Sequence, residues 1–246
     1  MEIRRSFIYL KFILFFLFSS FSNAGNIGYA SNSSVEIYYD VGSSESNQEY
    51  LLGVKFKLDP GWHTYWKNPG DSGEKASFEW TLPDGFKIDG PFWPQPEKIP
   101  YPPLMTFGYN DEVIVFFKLS SYGKINDDSE ISLSTKWLAC ADVCLPQEAF
   151  IKTNINKNPI SNKNALEMND SFNKNIPKVF KKNISATYIN NSLVLSFELP
   201  DRHVKDDIIF FPDEPGLIDY SKDQLIERNN NSCLLYTSPS PRDMPR

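Results

Sequence analysis

The chain has 246 residues, with 25 Lys+Arg against 31 Asp+Glu and a formal net charge of −6. That acidic balance argues against nucleic acid and against anionic membrane surfaces as partners. Three cysteines are present, and what a cysteine pair can do depends first on the compartment it works in.

The chain opens with "MEIRRSFIYLKFILFFLFSSFSNAG". Arg4, Arg5 and Lys11 form a positive region, Phe12 to Phe18 an apolar run, and Ser22-Asn23-Ala24 a small-residue cleavage site. The apolar run is well short of the ~20 residues a spanning helix needs. Residues 1–24 are therefore read as an export signal, which predicts a periplasmic protein.

From Val35 the pattern is β. "VEIYYD" (35–40), "YLLGVKFKL" (50–58), "WHTYW" (62–66), "SFEWTL" (77–82), "DEVIVFFKL" (111–119), "ISLSTKWLA" (131–139) and "EAFIK" (148–152) are short and rich in Val, Ile, Phe, Tyr and Trp. Pro, Gly, Asn and Asp punctuate them. Phe56/Leu58 and Ile131/Leu133 alternate as strands with one buried face require. The expected fold is all-β: an immunoglobulin-like antiparallel sandwich over residues 35–152. "KNPGDSGEK" (67–75) and the six-proline stretch "GPFWPQPEKIPYPPLMTFGYN" (90–110) read as long connections, the second excluded as a central strand by its prolines. Loops of that length tend to carry function.

Composition turns polar and Asn/Lys-rich at Thr153. Residues 153–182 are read as a linker, with one or two helical turns around Ala165–Phe172. Strand signals resume at "ISATYIN" (184–190), "SLVLSFEL" (192–199) and "DIIFF" (207–211), with Asn190-Asn191 as a hairpin turn. This reads as a second β domain, 183–232, that is truncated. Residues 233–246 begin "CLLYTSPSPRD", which resembles a translated transposase-type sequencing adapter and is set aside as an artefact. Without these two ends, five basic and two acidic residues fewer, 20 basic stand against 29 acidic residues.

Two cysteines then remain, Cys140 and Cys144 in "WLACADVCLP". Four residues of strand would hold them about 13 Å apart at ~3.3 Å per residue, while a disulfide needs Cα atoms within about 4.4–6.8 Å. The chain must therefore turn at Ala141-Asp142-Val143, with Asp142 a turn residue. A bridge closing so few residues is a poor staple in the loop-closure model, and a tight loop is more easily reduced. Both points favour chemistry over structure. A metal reading stays open, since Cys-x-x-x-Cys-x-Pro resembles the Sco-type copper chaperones and thiolates suit Cu(I). That site needs a downstream His on a βαβ scaffold, and only His63 and His203 are available. An inert structural disulfide is the third reading.

"GWHTYWKNPGDSG", "WTLPDGF", "WPQPEKIP", "FGYNDEVIVFFKL" and "KWLACADVCLPQEA" together resemble, in order and spacing, the N-terminal periplasmic domain of DsbD-type protein-disulfide reductases. The resemblance is to the ScsB-like branch, which has a three-residue gap between its cysteines, and "IIFFPDEPGLIDY" (208–220) resembles the domain that follows in that branch. It implies thiol–disulfide exchange without a cofactor, with Cys140 and Cys144 as the redox pair. Cys144 would form the intermolecular bond and Cys140 would resolve it. Implied partners are thioredoxin-like or disulfide isomerase-like periplasmic clients, and transmembrane and thioredoxin-like domains of a full-length protein anchored in the inner membrane. The family also covers its sulfurs with an aromatic from a cap loop. "LMTFGYN" departs from the family's Phe-Tyr-Gly pattern, which makes Phe107 the expected cover, with Met105 and Tyr109 beside it.

Overall fold

A computed structural model describes residues 27–41, 48–122, 129–155, 163–189, 192–200 and 207–238. The expected export signal, the expected Asn190-Asn191 turn and His203 lie outside them. The fold is all-β and immunoglobulin-like: two antiparallel sheets face one another, and a third sheet is built from the end of the chain.

The first sheet runs β1 (Ile27–Ala30), β2 (Ser33–Val41), β3 (Gln48–Leu58), β9 (Glu112–Ser121) and β6 (Phe86–Phe92), in that order. The second runs β11 (Cys144–Ile155), β10 (Ser129–Cys140), β4 (His63–Gly70), β8 (Leu104–Asn110) and β7 (Glu97–Tyr101), with β5 (Ser77–Thr81) also on β10. Period-two burial sets the register. Tyr50, Leu52, Val54, Phe56 and Leu58 point into the sandwich from β3, and Ile131, Leu133, Thr135, Trp137 and Ala139 meet them from β10. A one-residue slip would turn either row to solvent. Phe56 packs edge-on to Trp137 at 5.2 Å and Phe78 edge-on to Phe117 at 5.0 Å, pairs that contribute about 0.5–1.5 kcal/mol each beyond their area. The Trp137 indole donates to Ser33 Oγ at 3.1 Å.

Two expectations are corrected here. The stretch 90–110 is not a loop: β7 and β8 form a hairpin, and β8 is an interior strand between β4 and β7. The prolines fall where they cost no ladder bond. Pro100 is on edge strand β7, Pro91 on edge strand β6, and Pro102-Pro103 make the turn, while β8 itself has none. Second, "DIIFF" is not a strand. The Phe210 N–H donates to Gln224 Oε1 at 2.8 Å and its carbonyl accepts from Gln224 Nε2 at 2.9 Å, so a side-chain amide takes the place of a partner strand. Within 153–182, the helical turns expected around Ala165–Phe172 lie in a helix, α1 (Lys163–Asn175). Met168 is buried, and Phe172 packs edge-on to Phe116 and Phe92 on the outer side of the first sheet.

The third sheet is ordered β12 (Ile184–Ile189), β13 (Ser192–Glu198), β15 (Ser232–Thr237) and β14 (Leu225–Asn229). β15, an interior strand, includes Cys233–Thr237 from the adapter-like stretch; Cys233, Leu235 and Thr237 are buried at alternate positions. Between β13 and β14 the chain crosses to the second sheet. There Phe211 and Tyr220 pack on Phe107 at 5.0 and 4.9 Å, and Phe211 on Trp66 at 6.1 Å.

Candidate active site at the Cys140–Cys144 disulfide

β10 ends at Cys140 and β11 begins at Cys144, so the strands are joined by a hairpin whose first pair is the two cysteines themselves. They are disulfide-bonded, with Cα atoms 4.1 Å apart. The Ala141 N–H donates to the Val143 carbonyl at 3.0 Å and closes the turn. The two sulfurs belong to unlike residues. Cys140 is 1 % exposed, walled in by β4 on its other side through the Cys140–His63 pairing. Cys144 is exposed on edge strand β11, beside Val143, which is 59 % exposed.

The side chain in contact with both sulfurs is Tyr65, on β4. Its hydroxyl donates to Cys140 Sγ at 2.9 Å and lies 3.4 Å from Cys144 Sγ. Tyr65 is 2 % exposed, and burial raises its pKa above the ordinary 10.0, so the hydroxyl keeps its proton and stays a donor. The ring packs edge-on to His63 at 5.4 Å.

Why Tyr65, when the cap was expected on β8? Register decides it. Tyr65 lies opposite Gly108, and Thr64 opposite Tyr109. Gly108, not Phe107 or Tyr109, therefore shares Tyr65's face, and a Cβ at Gly108 would come 2.1 Å from the Thr64 carbonyl oxygen. Phe107 and Tyr109 point the other way. Phe107 is 0 % exposed against Phe211 and Tyr220, and the Tyr109 hydroxyl donates to the Pro94 carbonyl at 2.8 Å, its pKa raised by burial. Met105 is half-buried, and its backbone holds Asp71 rather than a sulfur. The signal that could have found Tyr65 is the alternation His63-x-Tyr65, but naming the face it occupies requires knowing that β4 lies next to β10.

A short loop, Asp71–Ala76, crosses over Tyr65. Gly73, exposed and at φ +96°, lies so close that a Cβ there would be 2.1–2.5 Å from three atoms of the Tyr65 ring. The loop is pinned to β8. Asp71 N–H donates to the Met105 carbonyl at 3.0 Å, Met105 N–H to Asp71 Oδ2 at 2.9 Å, and Ser72 Oγ pairs with Thr106 Oγ1 at 3.2 Å. Beside it opens a cleft of about 440 Å³, bounded by Glu74, Lys75 and Ser77 on one wall and Trp137, Leu138 and Pro146 on the other.

His63 is half-buried, and burial lowers its pKa from the ordinary 6.5. The folded state therefore holds it neutral where the unfolded chain takes up a proton. As pH falls through about 6.5 the unfolded state binds more protons and stability drops. The denaturant midpoint is expected to be lower at pH 5 than at pH 7.5, with part of that drop abolished in His63→Gln. An equal drop in both proteins would refute the assignment.

No group of three or more His, Cys, Asp or Glu side chains is gathered for a metal ion among the described residues. No helix among them is long and apolar enough to cross a membrane.

Residues 35–154 match the family model described as "Thiol:disulfide interchange protein DsbD, N-terminal". Among solved structures, the N-terminal periplasmic domain of ScsB from Proteus mirabilis superposes with a TM-score of 0.60 at 18 % identity. That match covers 87 % of this chain and 83 % of the other. A yeast GGA1 GAE domain aligns at 12 % identity and a TM-score of 0.28, over 52 % of this chain and 97 % of the other, too loosely to carry an argument. Comparison with the curated proteins returns no match.

Proposed function

Since residues 35–154 belong to the family of DsbD N-terminal domains, we propose that this chain relays electrons between thiol proteins outside the cytoplasm, through Cys140 and Cys144. The observation that carries the reading is the asymmetry of the pair. Cys144, an exposed residue, is bonded to Cys140, a buried one whose sulfur accepts a hydrogen bond from a protonated tyrosine.

In the receiving half, a donor thiolate attacks Cys144 Sγ in line with the disulfide. Cys140 Sγ leaves with the bonding electron pair as a thiolate. The Tyr65 hydroxyl is already aimed at that atom, 2.9 Å away, and charge-assisted hydrogen bonds are about twice as strong as neutral ones. The donor's second thiol then resolves the mixed disulfide, leaving Cys140 and Cys144 reduced. In the delivering half, Cys144 attacks a client disulfide, and Cys140 attacks Cys144 to expel the client as a dithiol. Two electrons pass and the disulfide is restored. The donor in this reading is a membrane-embedded partner domain, acting directly or through a thioredoxin-like domain. The clients are thioredoxin-like or isomerase-like proteins, and the exposed Val143 and the cleft beside Pro146 are where they would bear on the domain. Shielding of the sulfurs between encounters falls to Tyr65 beneath Gly73, without an aromatic from β8.

The reduction potential tests this reading. Alkylation and mass shift across a thiol redox series should give about −180 to −270 mV, the range of exchange-active proteins. A value below about −300 mV marks a structural bridge and removes the proposal's chemical basis.

A further inference from the structure

We propose that Asn68 is a positioning residue that ties the second β unit to the lid over the disulfide, so that seating of that unit sets how readily the sulfurs are reached. The geometry stands on its own; its consequence for electron transfer rests on the exchange reading above.

Between Tyr65 and Gly70 the pairing of β4 with β8 is interrupted: residues 66–69 leave the ladder, and pairing resumes at Gly70–Thr106. Asn68, in the middle of this excursion, is a polar side chain at 0 % exposure. Its amide uses both ends. Nδ2 faces the Pro212 carbonyl at 2.8 Å, the Glu214 carbonyl at 3.3 Å and the Tyr220 hydroxyl at 3.3 Å, all on the segment that crosses from the third sheet. Oδ1 accepts the Gly70 N–H at 3.1 Å. Gly70 is the hinge from which the lid departs, and Gly73 lies on Tyr65 three residues later. One buried side chain thus bonds the second unit on one side and the base of the lid on the other.

The neighbours reinforce the same path. Lys67 pairs with Asp213 at 2.6 Å, and Trp66 packs on Phe211. The other anchor of the lid, β8, meets the second unit through Phe107 against Phe211 and Tyr220. A buried amide left without partners is costly, so a displaced second unit would leave Asn68 unsatisfied unless the excursion, and with it Gly70, also moved. The lid and the second unit are therefore expected to loosen together.

The test is the second-order rate at which a small phosphine reduces Cys140–Cys144 in the full chain, read by thiol labelling, alongside the melting temperature. Asn68→Ala is expected to speed reduction at least about five-fold, the low end of coupling between distinct sites. Tyr220→Phe removes one of three acceptors and should speed it less. Val115→Ala, buried on β9 of the first sheet, should lower the melting temperature and leave the rate alone. Reduction of Asn68→Ala at the wild-type rate, or equal acceleration by Val115→Ala, overturns the proposal. If Asn68→Ala does not fold, Tyr220→Phe carries the test, and an unchanged rate there overturns it too. Because a phosphine needs no partner protein, a failed coupling and a failed exchange reading give different results: the first leaves the potential in the exchange range, and the second leaves the rate differences intact.

Discussion

Cys140→Ser is expected to trap a mixed disulfide between Cys144 and a client, whereas Cys144→Ser traps none. The argument is one of access. Cys144 is exposed on an edge strand and Cys140 is 1 % exposed between β4 and β11, so only Cys144 can take an in-line approach from a protein-sized partner. Removing Cys140 leaves that attack possible and deletes the resolving thiol. Removing Cys144 leaves a thiol that a folded partner cannot reach. Both variants should lose turnover completely in an assay of client reduction, since each breaks the two-electron cycle. Non-reducing electrophoresis distinguishes them, with a thioredoxin-like protein whose single active cysteine is held as a mixed disulfide with 2-nitro-5-thiobenzoate: Cys144 attacks the protein sulfur, the thiobenzoate leaves as the thiolate, and a shifted, reductant-sensitive band forms with Cys140→Ser only. Equal trapping by the two variants would reverse or abolish the assigned roles.

Much of this was legible in the sequence. Where one face of a strand is buried, the period-two pattern fixes both the strand and its register, and β2, β3, β9 and β10 follow from rows such as Leu52, Val54, Phe56. The turn between the cysteines follows from reach alone. What could not be read depends on neighbours distant in sequence. The β7–β8 hairpin is hidden because proline counts are taken over a stretch, whereas the restriction acts on individual ladder bonds; Pro100 escapes it on an edge strand. The helix α1 shows little apolar periodicity because its docking uses few contacts, chiefly Met168 and Phe172. "DIIFF" has the composition of a strand, but its backbone partner is the side chain of Gln224. The cover residue depends on which face of β8 meets β4. With Thr106 in place of the first aromatic of the Phe-Tyr-Gly pattern, Phe107 faces the core and Gly108 lies opposite Tyr65.

Its close approach to the Tyr65 ring makes Gly73 the most sensitive position in the lid. Gly73→Ala is expected to destabilise the chain and to speed reduction of the disulfide by about ten-fold or more, a change that corresponds to about 1.4 kcal/mol of lost protection. Two costs combine. At φ +96° a side chain is strained, by about 1–3 kcal/mol. The added methyl would also sit 2.1 Å from the Tyr65 ring, far inside contact distance in a close-packed interior, so either the lid lifts or Tyr65 leaves the sulfurs. Either movement opens a path to Cys140 and Cys144. Tyr65→Phe separates the ring from the hydroxyl: it keeps the cover and removes the donor at 2.9 Å from Cys140 Sγ. Its expected effect is a shift of the reduction potential to more negative values, because the leaving thiolate loses its hydrogen bond, with little change in access. If Gly73→Ala is reduced no faster than the wild type while its melting temperature falls, the loop is a structural turn and Tyr65 does not gate the site. Faster reduction in Gly73→Ala together with a shifted potential in Tyr65→Phe would assign shielding to the ring and its glycine, and thiolate stabilisation to the hydroxyl.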